Sequence, residues 1–158
     1  MSEDVELRAA ADSDLDWLAE LLAHEAAAPS LSTTAACGLD DALAAGELWI
    51  ALATNGERVG AARLTAVNRR SRIASLETLV VHPDARGRRL GVAIVSAIAR
   101  LAFERGVHRI EAEVYGFNEP ALRTFDLAGF TREGVRRRAY DRHGDWQDGV
   151  RFGLLADE

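Results

Sequence analysis

Short segments in which apolar and polar residues alternate recur along the chain, and turn-forming residues separate them. Such alternation is typical of strands with one buried face. It predicts strands over Val5–Ala9, Glu47–Thr54, Arg58–Val67, Ile73–Val81, Arg109–Tyr115, Thr131–Tyr140 and Gln147–Leu155. Asn55-Gly56 is the strongest short hairpin signal in the sequence, and residues 68–72 form a second polar turn. The first half of the chain therefore contains an antiparallel meander.

Apolar residues spaced by three and four predict helices between these strands. A cap at Asp12 or Ser13 precedes the first helix, whose stripe is Leu15, Leu18, Leu21 and Leu22. A helix end over Ala26–Ser30 closes at Pro29, and a second helix extends over Thr33–Ala45. The longest helix ends at Gly106 and has the stripe Leu90, Ile94, Ala97, Ile98 and Leu101. A short helix opens at Asn118 and ends at Gly129.

The order of these elements predicts an α/β (α+β) fold with a mixed sheet. Ile73–Val81 and Arg109–Tyr115 are joined by the long helix, and a crossover of this kind makes two strands parallel. The chain has 158 residues, enough for one domain and short for two, so we expect a single domain over 1–158.

Composition excludes several classes of function. The net charge of −6 disfavours nucleic acid as a partner, and the run Arg136–Arg138 is usually a solvated strand end. No apolar run approaches roughly 20 residues, so no membrane span is expected. Cys37 is the single cysteine, and the histidines form no metal-binding spacing, which predicts no disulfide and no metal site. An acidic N-terminus without an apolar segment favours a cytoplasmic protein.

The segment Arg86-Gly87-Arg88-Arg89-Leu90-Gly91 joins the fourth strand to the longest helix. A loop before a helix presents free backbone N–H groups and the positive end of the helix dipole, which suits a phosphate or pyrophosphate. A Walker loop needs a lysine, but all 19 basic residues are arginine. A dinucleotide fingerprint needs three spaced glycines, and this segment has two.

This segment resembles the acetyl-coenzyme A signature of the GNAT superfamily of N-acetyltransferases, with Arg89 where the middle Gly is usual. A second stretch, from Val114 to Gly134, is similar to the family's closing motif, in which Asn precedes a short helix and Gly-Phe. The resemblance implies a GNAT-type sheet with splayed parallel strands and acetyl-CoA as co-substrate. It assigns cofactor contacts to Leu79, Val80, Val81, Arg86, Gly87, Arg88, Arg89, Leu90, Gly91, Val92 and Asn118.

Two glutamates on the central strands are candidate general bases. By the alternation of side chains along a strand, Glu77 lies on the same face as Leu79 and Val81. Glu113 lies on the face opposite the apolar residues of its own strand. A carboxyl group withdrawn from water suits a base that works near neutral pH, and the resemblance supports both residues. The family's Tyr general acid corresponds to Phe125, which leaves Tyr115 and Tyr140 as spare candidates.

The resulting prediction is an N-acetyltransferase that moves an acetyl group directly to the amine of a small molecule or amino acid. Two alternatives remain open: a protein N-terminal acetyltransferase, and a catalytically idle acyl-CoA-binding domain. The partner is a small-molecule amine, and we expect a monomer or homodimer that binds neither nucleic acid nor a membrane.

Overall fold

The computed structural model describes residues 4–24, 27–28 and 37–158. The strands are β1 Glu6–Ala9, β2 Leu48–Leu52, β3 Arg58–Asn68, β4 Ile73–Val81, β5 Arg109–Tyr115, β6 Thr131–Arg142 and β7 Asp145–Leu155. The helices are α1 Leu15–Ala23, α2 Leu39–Ala44, α3 Leu90–Glu104 and α4 Glu119–Leu127. In the described ranges, no helix has the length and apolar character that crossing a bilayer would require. Most of the predicted helix end over Ala26–Ser30, and the first part of Thr33–Ala45, lie outside these ranges.

The seven strands form one sheet with the order β1-β2-β3-β4-β5-β7-β6. Neighbouring strands are antiparallel except for β4 and β5, which are parallel and are joined by α3. The predicted fold class is therefore confirmed: an antiparallel meander leads into a central β–α–β unit, and a hairpin of β6 and β7 completes the sheet.

Helices cover both faces of the sheet and create two hydrophobic cores. The larger core lies under α3 and α4 and includes Ile94 and Ile98, both fully buried. The smaller core lies under α1 and α2 and includes Leu18 of α1 together with Ile50 and Val80 of the sheet. We call these two sides of the sheet the α3 face and the α1 face.

Phe125 on α4 belongs to the core of the α3 face. It is 3% exposed, and its ring packs edge-on to Phe130 and stacks with Phe152 at centroid distances of 5.1 and 5.3 Å. The family resemblance would bring this position to the reacting end of the cofactor, but the ring packs against other aromatic rings instead. A hydroxyl added here would meet apolar neighbours.

Asp14 is the only charged side chain among the described residues that is fully buried, at 1% exposure. Its two oxygens accept hydrogen bonds from Arg8 at 2.6 and 2.9 Å, from Arg58 at 3.2 Å and from the backbone N–H of Ala11 at 2.8 Å. Hydrogen bonding by Arg8 is the largest cause that holds the pKa of the Asp14 carboxyl well below its usual range. This cluster joins the start of α1 to β1 and β3.

We predict that Asp14→Asn destabilises the protein by about 2 kcal/mol at pH 7, because one buried oxygen and the countercharge for two half-exposed arginines are lost. The folded pKa of Asp14 is depressed, so its contribution is fully present above the unfolded value of about 3.9 and is lost as the pH falls below it. Urea unfolding at several pH values should show the gap between wild type and variant closing below about pH 4.

The matched control is Asp126→Asn, which removes a carboxylate from an exposed ion pair with Arg132. It should change the free energy of unfolding little. Equal losses of unfolding free energy in both variants would contradict the conclusion that the buried Asp14 cluster stabilises the fold more than an exposed ion pair does.

Candidate active site

The parallel pairing of β4 and β5 stops halfway along the strands. The two strands pair from Ile73 with Arg109 to Leu76 with Ala112, and no later residue of β4 pairs with β5. Both strands continue, β4 to Val81 and β5 to Tyr115. Their ends therefore diverge, as the resemblance predicts, and leave backbone groups of β4 beyond Leu76 without a partner on the β5 side.

A β-bulge at Glu77 marks the point of divergence. On β3, Arg63 pairs with Thr78 and Leu64 with Leu76, so Glu77 is the additional residue on β4. The bulge shifts the side-chain alternation: Leu76 and Leu79 both contact the core of the α3 face, although they are three residues apart. The prediction that Glu77 lies on the same face of the sheet as Leu79 and Val81 is therefore wrong.

Glu77 lies on the α1 face, beside the polar side chains of β3. Its Oε1 accepts a hydrogen bond of 3.1 Å from the Thr65 hydroxyl, and its Oε2 lies 3.9 Å from Arg63 Nε. The side chain is 47% exposed, so the withdrawal from water expected from the sequence is not found. Sequence analysis missed Thr65 and Arg63, because only the register of β3 against β4 brings them to Glu77.

Glu113 lies on the other side of the divergence and on the same face of the sheet. Ile110, Ala112 and Val114 contact the core of the α3 face, so Glu113 points to the α1 face. It is 20% exposed and forms an ion pair of 3.3 Å with Arg136. The register pairs Ser75 with Glu111, two residues before each glutamate, so Glu77 and Glu113 flank the gap.

Arg136 also donates a hydrogen bond of 3.2 Å to the Tyr140 hydroxyl oxygen. Between these two residues, β6 has three residues where β7 has only Asp148. The Asp148 carboxylate accepts a hydrogen bond from the backbone N–H of Arg138. The arginine run therefore enters a bulge within β6 and does not end the strand, whereas the expected exposure to solvent is found: Arg136 is 53% exposed while its guanidinium reaches Glu113.

Glycine at position 149 makes this approach possible. A Cβ there would lie 2.8 Å from the Tyr140 ring and 2.9 Å from the Glu113 carboxyl carbon.

Aromatic side chains extend from Glu113 to the end of β5. Tyr115 stacks with Phe117 at 5.2 Å and meets Tyr140 edge-on at 5.6 Å. The Arg142 guanidinium lies 5.2 Å from the centre of the Tyr115 ring and donates a hydrogen bond to the Ala28 carbonyl oxygen. Ala28 therefore touches the β6–β7 hairpin beside the gap.

The predicted anion loop lies at the end of β4, where it leads into α3. Arg86, Gly87, Arg88 and Arg89 are exposed, and Gly87 has a φ of +82°. The first turn of α3 leaves the N–H groups of Leu90, Gly91 and Val92 without intrahelical partners. This turn contains no acidic residue, and no side chain caps it within the described chain. Basic side chains and free N–H donors beside the gap fit a pyrophosphate.

The other residues that were predicted to contact the cofactor differ in burial and in structural role. The side chains of Val80 and Leu90 are buried, at 4% and 2% exposure, so only their backbones face a ligand. Asn118 caps α4, and its Oδ1 accepts the N–H of Ala121 at 3.3 Å. A Cβ on Gly91 would lie 3.3 Å from the Thr124 hydroxyl oxygen, so glycine here permits close packing of α3 against α4.

A cavity of about 540 Å³ lies on the β3 side of the anion loop. Trp17 lines it together with Arg58, whose guanidinium lies 4.8 Å from the centre of the indole, and with His82, which stacks on the same ring at 6.3 Å. His82 Nδ1 accepts the N–H of Asp84, which gives this histidine a structural role in the turn after β4. The Trp17 ring thus borders the anion loop.

Comparison with known proteins identifies relatives of the chain. The model of the acetyltransferase (GNAT) family matches residues 15–130. The chain is 30% identical over 81 residues to the SPbeta prophage-derived uncharacterized N-acetyltransferase YokL of Bacillus subtilis (strain 168), covering 51% of this chain and 46% of that protein. It is 41% identical over 64 residues to mycothiol acetyltransferase of Sanguibacter keddieii, covering 40% and 20%. The chain thus spans less than half the length of the relatives it matches.

Solved structures share the fold over nearly the whole chain. The spermidine N-acetyltransferase of Vibrio cholerae in complex with CoA and spermine has a TM-score of 0.84 at 17% identity, covering 98% of this chain and 96% of that one. An acetyltransferase (GNAT family) of Bacillus anthracis has a TM-score of 0.84 at 16% identity, covering 100% and 98%. At these identities the likeness concerns the fold.

We predict that Arg89→Gly stabilises the protein. Arg89 precedes α3 with a φ of +56°, a left-handed conformation that costs a non-glycine residue about 1 kcal/mol. Thermal unfolding should show a higher midpoint, and acetyl-CoA affinity should be retained because the N–H donors are backbone groups. Arg88→Gly is the control, since Arg88 has no positive φ and should gain nothing. A loss of stability in Arg89→Gly would reveal a structural role for its side chain.

Proposed function

The chain belongs to the acetyltransferase (GNAT) family, and from that premise we propose that it transfers an acetyl group from acetyl-CoA directly to the primary amine of a small molecule or amino acid. One observation carries the proposal: the parallel ladder ends at Leu76 and Ala112, and glutamates flank the gap beyond it. The anion loop lies at the end of β4 bordering this gap. A donor, a base and an acceptor can therefore meet at one place.

Acetyl-CoA is the acyl donor, and its thioester supplies the activated acetyl group. We assign its pyrophosphate to the loop Arg86–Arg89 and to the N–H groups of Leu90, Gly91 and Val92. The backbone of Leu79 to Val81 pairs with β3 and has no partner on the β5 side, so its open edge lies along the path that the pantetheine arm would take as an additional strand. Asn118 stands at the start of α4 on the opposite side of this path.

Glu77 is our choice of general base, acting directly or through a water molecule. It is the more exposed of the two glutamates, and a hydroxyl group orients its carboxylate. Glu113 is already engaged by Arg136, and its carboxyl group and the Tyr140 ring both lie against Gly149, which suits it better to shaping the site. An acceptor amine enters the gap as an ammonium group and must lose a proton before it attacks the thioester.

The leaving thiolate has no aromatic hydroxyl from α4 to protonate it, because Phe125 lies in the core. A free thiol has a pKa of about 8.5, so unassisted departure is tolerable. Transfer is direct in this proposal, since no nucleophilic side chain is required to hold the acetyl group.

The acceptor approaches from the α1 face, where Tyr115, Phe117 and Arg142 form the edge of the gap. The spermidine N-acetyltransferase that shares this fold is named for a small amine, which supports the substrate class and leaves the identity of the amine to experiment. A cytoplasmic location and a monomeric or homodimeric state remain predictions from the sequence.

We predict that Gly91→Asp abolishes acetyl-CoA binding in a folded protein. The new carboxylate would stand in the first turn of α3, where it repels a pyrophosphate, and isothermal titration with acetyl-CoA measures the loss. Because a Cβ at this position presses on Thr124, the substitution is best made together with Thr124→Ala. Gly91→Asn in the same background has the same shape without the charge and should keep more affinity. Unchanged binding by the aspartate variant would remove the loop from the cofactor site.

We predict that Glu77→Gln lowers turnover by roughly 10²- to 10⁴-fold, the range for a positioned base. Coenzyme A release in the presence of a library of amines and peptides, with products identified by mass spectrometry, measures both rate and acceptor. Acetyl-CoA affinity should be nearly unchanged. Glu113→Gln is the matched comparison, and a larger effect there would reverse the assignment of the base.

The same screen separates the alternatives. Turnover with peptides and not with small amines would identify a protein N-terminal acetyltransferase. Binding of acetyl-CoA without turnover of any acceptor would identify an acyl-CoA-binding domain, which the core position of Phe125 favours.

A further inference from the structure

Glu77 contacts two side chains of β3 that take no part in the proposed proton transfer itself. Thr65 and Arg63 lie two residues apart on β3 and point to the same face of the sheet. The Thr65 hydroxyl donates to Oε1 of Glu77 at 3.1 Å, and Arg63 Nε lies 3.9 Å from Oε2. Each oxygen of the carboxylate thus faces a different group on the neighbouring strand.

Arg63 is held in place by a second carboxylate. Its Nη2 donates to Oε1 of Glu47 at 3.1 Å, and the backbone carbonyl of Glu47 accepts the N–H of Leu64, so Glu47 is fixed beside β3. The guanidinium is therefore shared between Glu47 and Glu77, and it lies closer to Glu47.

The Nε of Arg63 is the one buried side-chain nitrogen or oxygen in the described part of the chain that has no hydrogen-bond partner. Buried donors are almost always paired, so an exception requires a reason. The nearest carboxylate oxygen that the ion pairs place beside it, at 3.9 Å, belongs to Glu77. A small movement of either side chain would complete a hydrogen bond.

We propose that Thr65 and Arg63 are positioning residues that fix the orientation of the Glu77 carboxylate, and that Glu47 limits the contribution of Arg63 by retaining its guanidinium. The inference deepens the proposed function, on which the catalytic meaning of Glu77 rests. Thr65 fixes the rotation of the carboxyl group through one oxygen, and Arg63 supplies positive charge at the other.

The arrangement predicts effects of opposite sign from neighbouring residues. Removing the Thr65 hydroxyl or the Arg63 guanidinium leaves the Glu77 carboxylate without a group that fixes its rotation, which should slow turnover. Neutralising Glu47 releases Arg63 toward Glu77, and turnover should then be kept or rise.

The remaining charged groups near Glu77 are few. Arg63 of β3 and Glu47 before β2 lie on one side, and Glu113 with its partner Arg136 lies across the gap on β5 and β6. From α1 and α2, the described residues contribute no ion pair to Glu77. Variants that leave Glu113 and Arg136 intact therefore isolate the contribution of β3.

The test is the turnover number kcat with the acceptor found by the amine screen. We expect kcat to fall about fivefold or more in Thr65→Val and in Arg63→Met, while the KM for acetyl-CoA is unchanged, and kcat should not fall in Glu47→Gln. Thr65→Ser keeps the hydroxyl and should restore the wild-type rate. Thr131→Val and Arg70→Met remove a hydroxyl and a charge from exposed positions elsewhere and should leave the rate unchanged.

The same substitutions in the Glu77→Gln background provide the second measurement. With no carboxylate to orient, Thr65→Val and Arg63→Met should slow turnover no further. Wild-type turnover in Thr65→Val and Arg63→Met, or equal losses with and without the Glu77 carboxylate, would overturn the inference. Full activity in Glu77→Gln itself would instead show that the choice of base is wrong.

Discussion

The end of the parallel ladder between β4 and β5 is the constraint on which the rest of the site depends. Strands that separate within a sheet expose backbone N–H and C=O groups, and such groups are costly to leave unpaired in a folded protein. Here the ladder ends where the bulge at Glu77 adds one residue to β4. The same bulge turns Glu77 to the α1 face while Leu79 and Val81 remain with the core of the α3 face. One local irregularity thus supplies both an open strand edge and a carboxylate beside it.

Arginines organise the charges around this gap. Arg136 holds Glu113 on the β5 side, and Arg63 lies between Glu47 and Glu77 on the β3 side. All three ion pairs are partly exposed, so their value lies in orientation more than in stability. The exception is Asp14, which is fully buried under two arginines and joins the start of α1 to the sheet. Rigid attachment of α1 matters for the site because the segment after this helix reaches Arg142 at the edge of the gap.

Sequence reasoning predicts the local elements of this fold well and its long-range contacts poorly. The bounds of β4 and β5 are those predicted, because apolar residues fill both strands and turn-forming residues stop them. The loop before α3 is likewise predictable from its glycines and arginines. The bulge is not predictable, since one extra residue changes the face of the sheet on which the later side chains lie without changing the composition of the strand. Contacts such as Thr65 with Glu77 and Arg136 with Glu113 depend on strand register, and the core position of Phe125 depends on how α4 packs on Phe130 and Phe152.

Amide hydrogen exchange with and without acetyl-CoA tests most directly whether the divergence of β4 and β5 is the cofactor site. The account predicts new protection at those amides of residues 78–81 that point away from β3 toward the gap, and at those of Leu90, Gly91 and Val92 in the first turn of α3. Residues Ile73 to Leu76 have β3 on one side and β5 on the other, so their amides should change little. Protection confined to the cavity lined by Trp17, or no protection at saturating acetyl-CoA, would contradict the account.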